Sequence, residues 1–203
     1  MVIKRNTLVV NSGISRSNGN GYFILWPKDP QKSADDLRSY LKRRFNLQCV
    51  GVVISDSKTT PLRWGESGIA ISYSGFRPLN DYLKKSDILG HKLKYKKVNV
   101  VDRLAAAAVL IMGEGNEQTP LAVVTNLPFV EFTSSKQTKK ELDSLHIELA
   151  EDVYAELIKS VKWKKGGSNQ QKISELKDKI NYLRAKSPRN SRPLGLTSPS
   201  VFT

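Results

Sequence analysis

Residues 50–75, VGVVISDSKTTPLRWGESGIAISYSG, constrain the fold of this chain more than any other stretch. Gly51 to Ile54 is a short, β-branched apolar run, which predicts a buried strand rather than a helix. The run stops at Ser55-Asp56-Ser57, and the segment Ser55 to Gly65 predicts a loop before a second strand, Gly68 to Ser74. A carboxylate flanked by hydroxyls at the mouth of a buried strand suits a hard cation. Mg²⁺ and Mn²⁺ prefer oxygen ligands and often take only one or two carboxylates, with phosphate and water completing the shell. Asp56 is therefore the first candidate metal ligand, its competing role being a turn cap before Lys58.

Strand and helix signals alternate around this core. Thr7 to Val10 and Tyr22 to Trp26 read as strands separated by a Gly/Asn/Ser-rich loop. Asp29-Pro30 opens a helix by N-cap and first-turn proline, with Ala34, Leu37, Leu41 and Phe45 as its apolar face. A short helical piece is expected around Leu79 to Lys84. Asn99 and Asp102 open the helix VDRLAAAAVLIMG, apolar nearly all round and ended by Gly113, which predicts central burial. Leu121 to Thr125 reads as a strand, and Thr138 to His146 and Glu151 to Ser160 as surface helices. Mixed hairpin-like and crossover connections predict an α+β fold with a mixed β-sheet and packed helices.

The chain has 203 residues and 39% hydrophobic content, enough for one substantial core and a small appendage. No apolar run approaches the ~20 residues of a membrane span, and the apolar stretch at the start is too short for a secretory signal, so a cytoplasmic protein with no membrane contact is expected. The single Cys49, beside Val50, reads as a small buried thiol. His91 and His146 show no ligand spacing and read as surface residues. Trp26 reads as core, while Trp64 lies inside the Ser55–Gly65 loop. The net charge is +14, of which +9 falls in residues 159–203. The expected division is a domain over 1–165 and a basic tail over 166–203, helical in part and Pro/Ser-rich at its end, with at most a weak nucleic-acid contact.

Three polar, glycine-bearing loops each adjoin a buried element: Asn11 to Asn18, Ser55 to Gly65, and Gly113 to Thr119. Glycines let backbone amides approach phosphates, Asn and Ser supply neutral hydrogen bonds, and Asp56 and Glu114 can hold a metal that bridges those phosphates. Each loop alone is a weak signal. GEGNEQT lacks the lysine and glycine spacing of a P-loop, and no zinc-type or nucleophile-and-base spacing is present.

Taken together and in order, NSGISRSN, GYFILWPKDP, VISDSKTTPLRWG, GIAISYSGFRPLNDY, VDRLAAAAVLIMGEG and TPLAVV resemble the coenzyme F420 γ-glutamyl ligase family, and within it the bacterial folate γ-glutamate ligase branch. The resemblance runs from about Asn6 to Lys165. It implies a γ-glutamyl ligase-like fold and an enzyme that joins L-glutamate to a folate-like or deazaflavin acceptor, using GTP or ATP and Mg²⁺ or Mn²⁺. It also implies a homodimer. Asn18 matches a nucleotide-contacting asparagine. Asp56 and, with a hydroxyl retained, Ser57 match metal ligands. Gly113, Glu114, Gly115, Asn116, Glu117, Gln118 and Thr119 match a loop touching nucleotide phosphates and metal, with Glu114 the ligand. Lys58 and Arg63 are the candidates for binding phosphate or the glutamyl carboxylates, since Arg presents a planar donor fork to both.

Two departures accompany the match. Ser15 stands where the family's first loop carries a metal-binding Asp, removing a charge that does much of the work of cation binding. The chain also starts where the family pattern is well advanced, which implies an absent N-terminal segment of roughly a third of an ordinary member. Both departures favour a second reading, a non-catalytic paralogue that acts as a scaffold or contacts nucleic acid through its basic tail.

Overall fold

The computed structural model describes residues 1–10, 13–83, 85–94 and 97–164. Contacts divide the chain into two units, Met1–Ser160 and Val161–Thr203. The expected basic tail, 166–203, lies outside the described residues.

The first unit is α+β. Its strands are β1 (Val2–Lys4), β2 (Thr7–Val9), β3 (Ile14–Ser15), β4 (Ile24–Leu25), β5 (Val52–Thr59), β6 (Glu66–Ser74), β7 (Leu79–Asp81) and β8 (Lys97–Asn99); its helices are α1 (Pro30–Phe45), α2 (Val100–Met112), α3 (Lys139–Asp143) and α4 (Ala155–Ser160). In place of one mixed sheet, the described strands form four two-stranded antiparallel pairs, β1–β2, β3–β4, β5–β6 and β7–β8.

The β5–β6 hairpin organises the rest. Strand β5 runs on to Thr59, so Ser55 to Thr59 is paired strand and only Thr60 to Gly65 is connecting loop, a correction to the longer loop expected. The register passes from Ile54 opposite Ser72 to Ser55 opposite Ala70, leaving Ile71 unpaired as a bulge. One extra residue inverts the alternation of faces along β6. Before it, Gly68 and Ala70 face α2: a Cβ on Gly68 would lie 2.4 Å from the Ala105 carbonyl, and the Ala70 amide donates to Asp102 at 3.0 Å. After it, Ser72 and Ser74 face α1, donating to the Pro30 carbonyl at 2.8 Å and to Asp35 at 2.6 Å, while Tyr73 turns into the core with Phe76, Val100 and Val101.

Both long helices begin and end where their caps dictate. The Asp29 carboxylate accepts from the Lys32 amide at 3.0 Å with Pro30 in the first turn, and Asn46 closes α1 in the left-handed conformation. Asn99 caps α2 through the Asp102 amide, and Gly113 ends it. Their buried faces differ from the expectation. On α1 the inward stripe is Pro30, Ala34 and Arg38, whereas Phe45 is 58% exposed. The Arg38 guanidinium is buried and spends its donors on backbone carbonyls, Val50 at 3.1 Å, Ser135 at 3.2 Å and Thr133, so it pins the 133–135 segment to the helix. On α2 only one side is covered; Leu110 is 82% exposed.

Three further expectations are corrected. Leu79 to Asp81 is a strand paired with β8 rather than a helical piece. Leu121 to Thr125 pairs with no described strand, and Leu121 and Val123 are largely exposed. Cys49 sits in an exposed bend before β5, not in a buried strand. Among the described residues no helix is long and apolar enough to cross a membrane.

Candidate functional site

Asp56 and Ser57 are successive residues of β5, so their side chains leave on opposite faces of the strand and the cleft they both line wraps around it. Ser57 pairs with Gly68, on the side of α2. Its hydroxyl donates to Glu114 Oε1 at 2.5 Å, just beyond the helix end set by Gly113. Asp56 faces the β3–β4 pair. Its Oδ2 accepts from Trp26 Nε1 at 2.5 Å and its Oδ1 from the Ser57 amide at 2.8 Å. Ser57 thus links the two carboxylates, through its amide to one and its hydroxyl to the other.

The loop Gly113 to Thr119 is shaped by its own side chains. The Glu117 carboxylate accepts from the Gly115 amide at 2.7 Å, and the Thr119 hydroxyl donates to the Met112 carbonyl at 2.6 Å, satisfying one of the free carbonyls at the end of α2. Gly113 has φ +77, a backbone conformation that glycine adopts without strain and L side chains rarely do. The Asn18 amide, 97 residues away, donates to the Gly115 carbonyl at 2.8 Å and ties the first loop to this one. Ser15 and Ser17 share a hydroxyl hydrogen bond of 2.8 Å on the same side.

These residues enclose a polar cleft of about 770 Å³, lined by Ser15, Asn18, Asp56, Ser57 and Gly113 to Thr119. It overlaps a second cleft, about 890 Å³, that extends past Arg16 and Trp26. An apolar cavity of about 390 Å³ adjoins them, sharing Ser55, Met112 and Pro120 with the first and bounded by Val53, Phe76 and Leu104. Lys58 and Arg63 line neither cleft: Lys58 is half-buried on β5 and Arg63 lies exposed in the hairpin loop. Arg16, in the lining, was not singled out in the sequence, although it stands between Ser15 and Asn18. Trp26 was read as core; instead its indole edge meets Asp56, a contact that nothing in GYFILWPKDP announces. His91 is exposed and pairs with Asp87, and His146 is exposed, both away from the cleft.

The donor set is all oxygen: the carboxylates of Asp56, Glu114 and Glu117, the last already bonded to the Gly115 amide, with serine hydroxyls and loop carbonyls. Among the described residues no group of three or more His, Cys, Asp or Glu is placed to hold a metal. Such a set fits a hard cation that arrives with phosphate oxygens and water, and does not fit an all-protein cage. The site is therefore an oxygen-rich, glycine-bordered cleft beside an apolar cavity.

The model of the F420-0:gamma-glutamyl ligase family matches residues 1–126. The coenzyme F420:L-glutamate ligase of Methanococcus maripaludis (strain S2) is 40% identical over 139 residues, covering 68% of this chain and 54% of that protein. Those of Halobacterium salinarum (strain R1) and Methanocaldococcus jannaschii are each 37% identical, over 66% and 62% of this chain and 51% of each relative. The chain belongs to the F420-0:gamma-glutamyl ligase family, and it spans about half the length of the curated relatives it matches.

Proposed function

We propose that the chain carries the nucleotide and cation site of a γ-glutamyl ligase, joining L-glutamate to a carboxylate-bearing cofactor with GTP or ATP as co-substrate. The observation that carries this reading is the Ser57 hydroxyl at 2.5 Å from Glu114, which brings Glu114 to the strand that bears Asp56. Asp56 and Glu114, with Ser57 beside them, would hold Mg²⁺ or Mn²⁺, and that cation supplies charge neutralisation on the nucleotide phosphates. Ser15 offers a neutral oxygen where a carboxylate would add charge.

The reaction proceeds by two transfers. The γ-phosphoryl group passes from nucleotide to acceptor carboxylate, leaving the nucleoside diphosphate and an acyl phosphate. The α-amine of glutamate then attacks the acyl carbon, phosphate leaves, and an amide remains. The chain's part is positioning and electrostatics. Asn18 and Glu117 fix the shape of the 113–119 loop that borders the phosphates. Arg16 is better placed than Lys58 or Arg63 to meet a phosphate or glutamyl carboxylate. The apolar cavity beside Ser55 suits the ring of the acceptor. The names of the relatives support a coenzyme F420-type acceptor; the folate-type acceptor rests on the sequence resemblance alone. A homodimer is part of the same proposal, checked by sedimentation.

The test is direct. The full chain is incubated with GTP or ATP, Mg²⁺, L-glutamate and either acceptor, and products are read by mass spectrometry and phosphate release. The reading expects an acceptor extended by one glutamyl residue, with one phosphate released per amide. Folded chain that forms no amide with either acceptor, yet binds RNA with a steep salt dependence, would establish the non-catalytic reading instead.

A further inference from the structure

The indole of Trp26 is held on three sides. Its Nε1–H donates to Asp56 Oδ2 at 2.5 Å, across 30 residues of sequence. The Lys4 ammonium lies over the ring, 4.5 Å from its centroid. Gly13, buried and at φ +64, presses its backbone so close that a Cβ would stand 2.5 Å from Cε2 and 2.7 Å from Nε1. Gly13 and Lys4 thus close in on the ring while its N–H is held by Asp56. With Lys4 across its face, it is also poorly disposed to stack on a nucleotide base. An indole has one polar atom, a donor, and here that donor is aimed at one carboxylate oxygen while the Ser57 amide takes the other. Each oxygen keeps lone-pair capacity for the cleft, but the plane of the carboxylate is set by two fixed N–H groups.

We infer that Trp26 is a positioning residue, which locks the Asp56 carboxylate in the orientation in which it binds a divalent cation. The inference rests on the cation site of the proposed function. Hydrogen-bonding partners behind a ligating carboxylate are commonly worth about 10- to 100-fold in metal affinity. The clamp formed by Lys4 and Gly13 serves the same end one layer further out.

The experiment titrates Mn²⁺ calorimetrically into the full chain, into Trp26→Phe, and into a chain with 3-benzothienylalanine at position 26. That analogue keeps the bicyclic ring and replaces the N–H by sulfur, so it isolates the hydrogen bond even where Trp26→Phe folds poorly. Asp56→Asn and the double variant complete a cycle. The inference expects both position-26 changes to weaken Mn²⁺ binding about tenfold, the benzothienyl chain to keep its melting temperature within a few degrees, and the change at 26 to add nothing once Asp56 is Asn. Wild-type affinity in the benzothienyl chain, with Asp56→Asn still weakened, overturns the positioning role and leaves the cation site standing. Wild-type affinity in Asp56→Asn, or no Mn²⁺ binding by the wild-type chain, removes the cation site and this inference with it.

Discussion

Ser15 is the residue at which the cleft is short of charge. It sits half-buried at the end of β3, its hydroxyl bonded to Ser17 at 2.8 Å, on the wall facing Asp56 and Glu114. A cation flanked by two carboxylates gains a third anionic oxygen in Ser15→Asp, which should tighten Mn²⁺ binding about tenfold, or 1.4 kcal/mol, as measured by calorimetry. Unchanged affinity in a folded variant would mean that position 15 does not reach the ion. At this scale the sequence was legible where chemistry is local. Asp56 and Glu114 stand out by composition, and Ser15, Asn18 and Ser57 through the family resemblance; all five line one cleft. What could not be read is contact at a distance. Trp26 is apolar by composition, and only the fold brings its one donor to a carboxylate 30 positions away. Arg16 and Lys58 are equivalent cations in the sequence, and the strand pairing decides which borders the cleft. Cys49 beside an apolar run suggests burial, but strand β5 starts only at Val52 and Cys49 lies exposed in the bend before it.

Helix α2 is positioned by the absence of a side chain at Gly68. Its Cα lies against the Ala105 carbonyl and Val109, so the helix rides directly on β6 and delivers Glu114 to Ser57. Gly68→Ala forces the two apart and should cost about 1–3 kcal/mol, a loss visible as a lower denaturation midpoint. The same variant should weaken Mn²⁺ binding, which a purely local defect would leave alone. Tyr73, on the far side of the bulge, supplies a pH signature. Burial, with the nearby Glu141 carboxylate as a smaller cause, pushes its hydroxyl well above the ordinary value of 10.0. A raised pKa in the folded state stabilises the fold fully below the unfolded value, and that contribution is lost as pH climbs beyond it. The melting temperature should therefore fall above pH 10 more steeply in the wild type than in Tyr73→Phe; parallel curves would show that Tyr73 ionises as freely folded as unfolded. The ends of the two long helices are readable because caps are local: Asp29-Pro30, Asn99 and Gly113 stand where the sequence places them, whereas the last two helices are shorter than expected, Lys139–Asp143 and Ala155–Ser160. Partners are not readable. Leu79 to Asp81 is a strand because β8 pairs with it, Leu121 to Thr125 lacks such a partner among the described strands, and the bulge at Ile71 leaves no mark on the alternation of GIAISYSG.

For the molecule as a whole, the order of motifs carried more than any single motif. Six segments in fixed order resembled a ligase family, and a family model over residues 1–126 agrees, whereas each loop alone was an ordinary polar turn. The α+β class follows from alternating signals, while the division of the described strands into separate two-stranded pairs, with no pairing between one hairpin and the next, is not encoded in periodicity. The large positive charge, by contrast, says little about the site, because most of it falls in residues 159–203, and Arg16 is the one basic residue lining either of the two overlapping polar clefts among the described residues. The proposed function turns on Asp56 and Glu114 receiving nucleotide phosphates through a shared divalent cation. The most direct measurement is a calorimetric titration of GTP into the full chain, with and without Mn²⁺, repeated on Asp56→Asn. With that site in place, Mn²⁺ should strengthen GTP binding at least tenfold, and Asp56→Asn should abolish that gain while leaving metal-free binding unchanged. GTP affinity that is indifferent to Mn²⁺, or a gain that persists in Asp56→Asn, would contradict the proposed function.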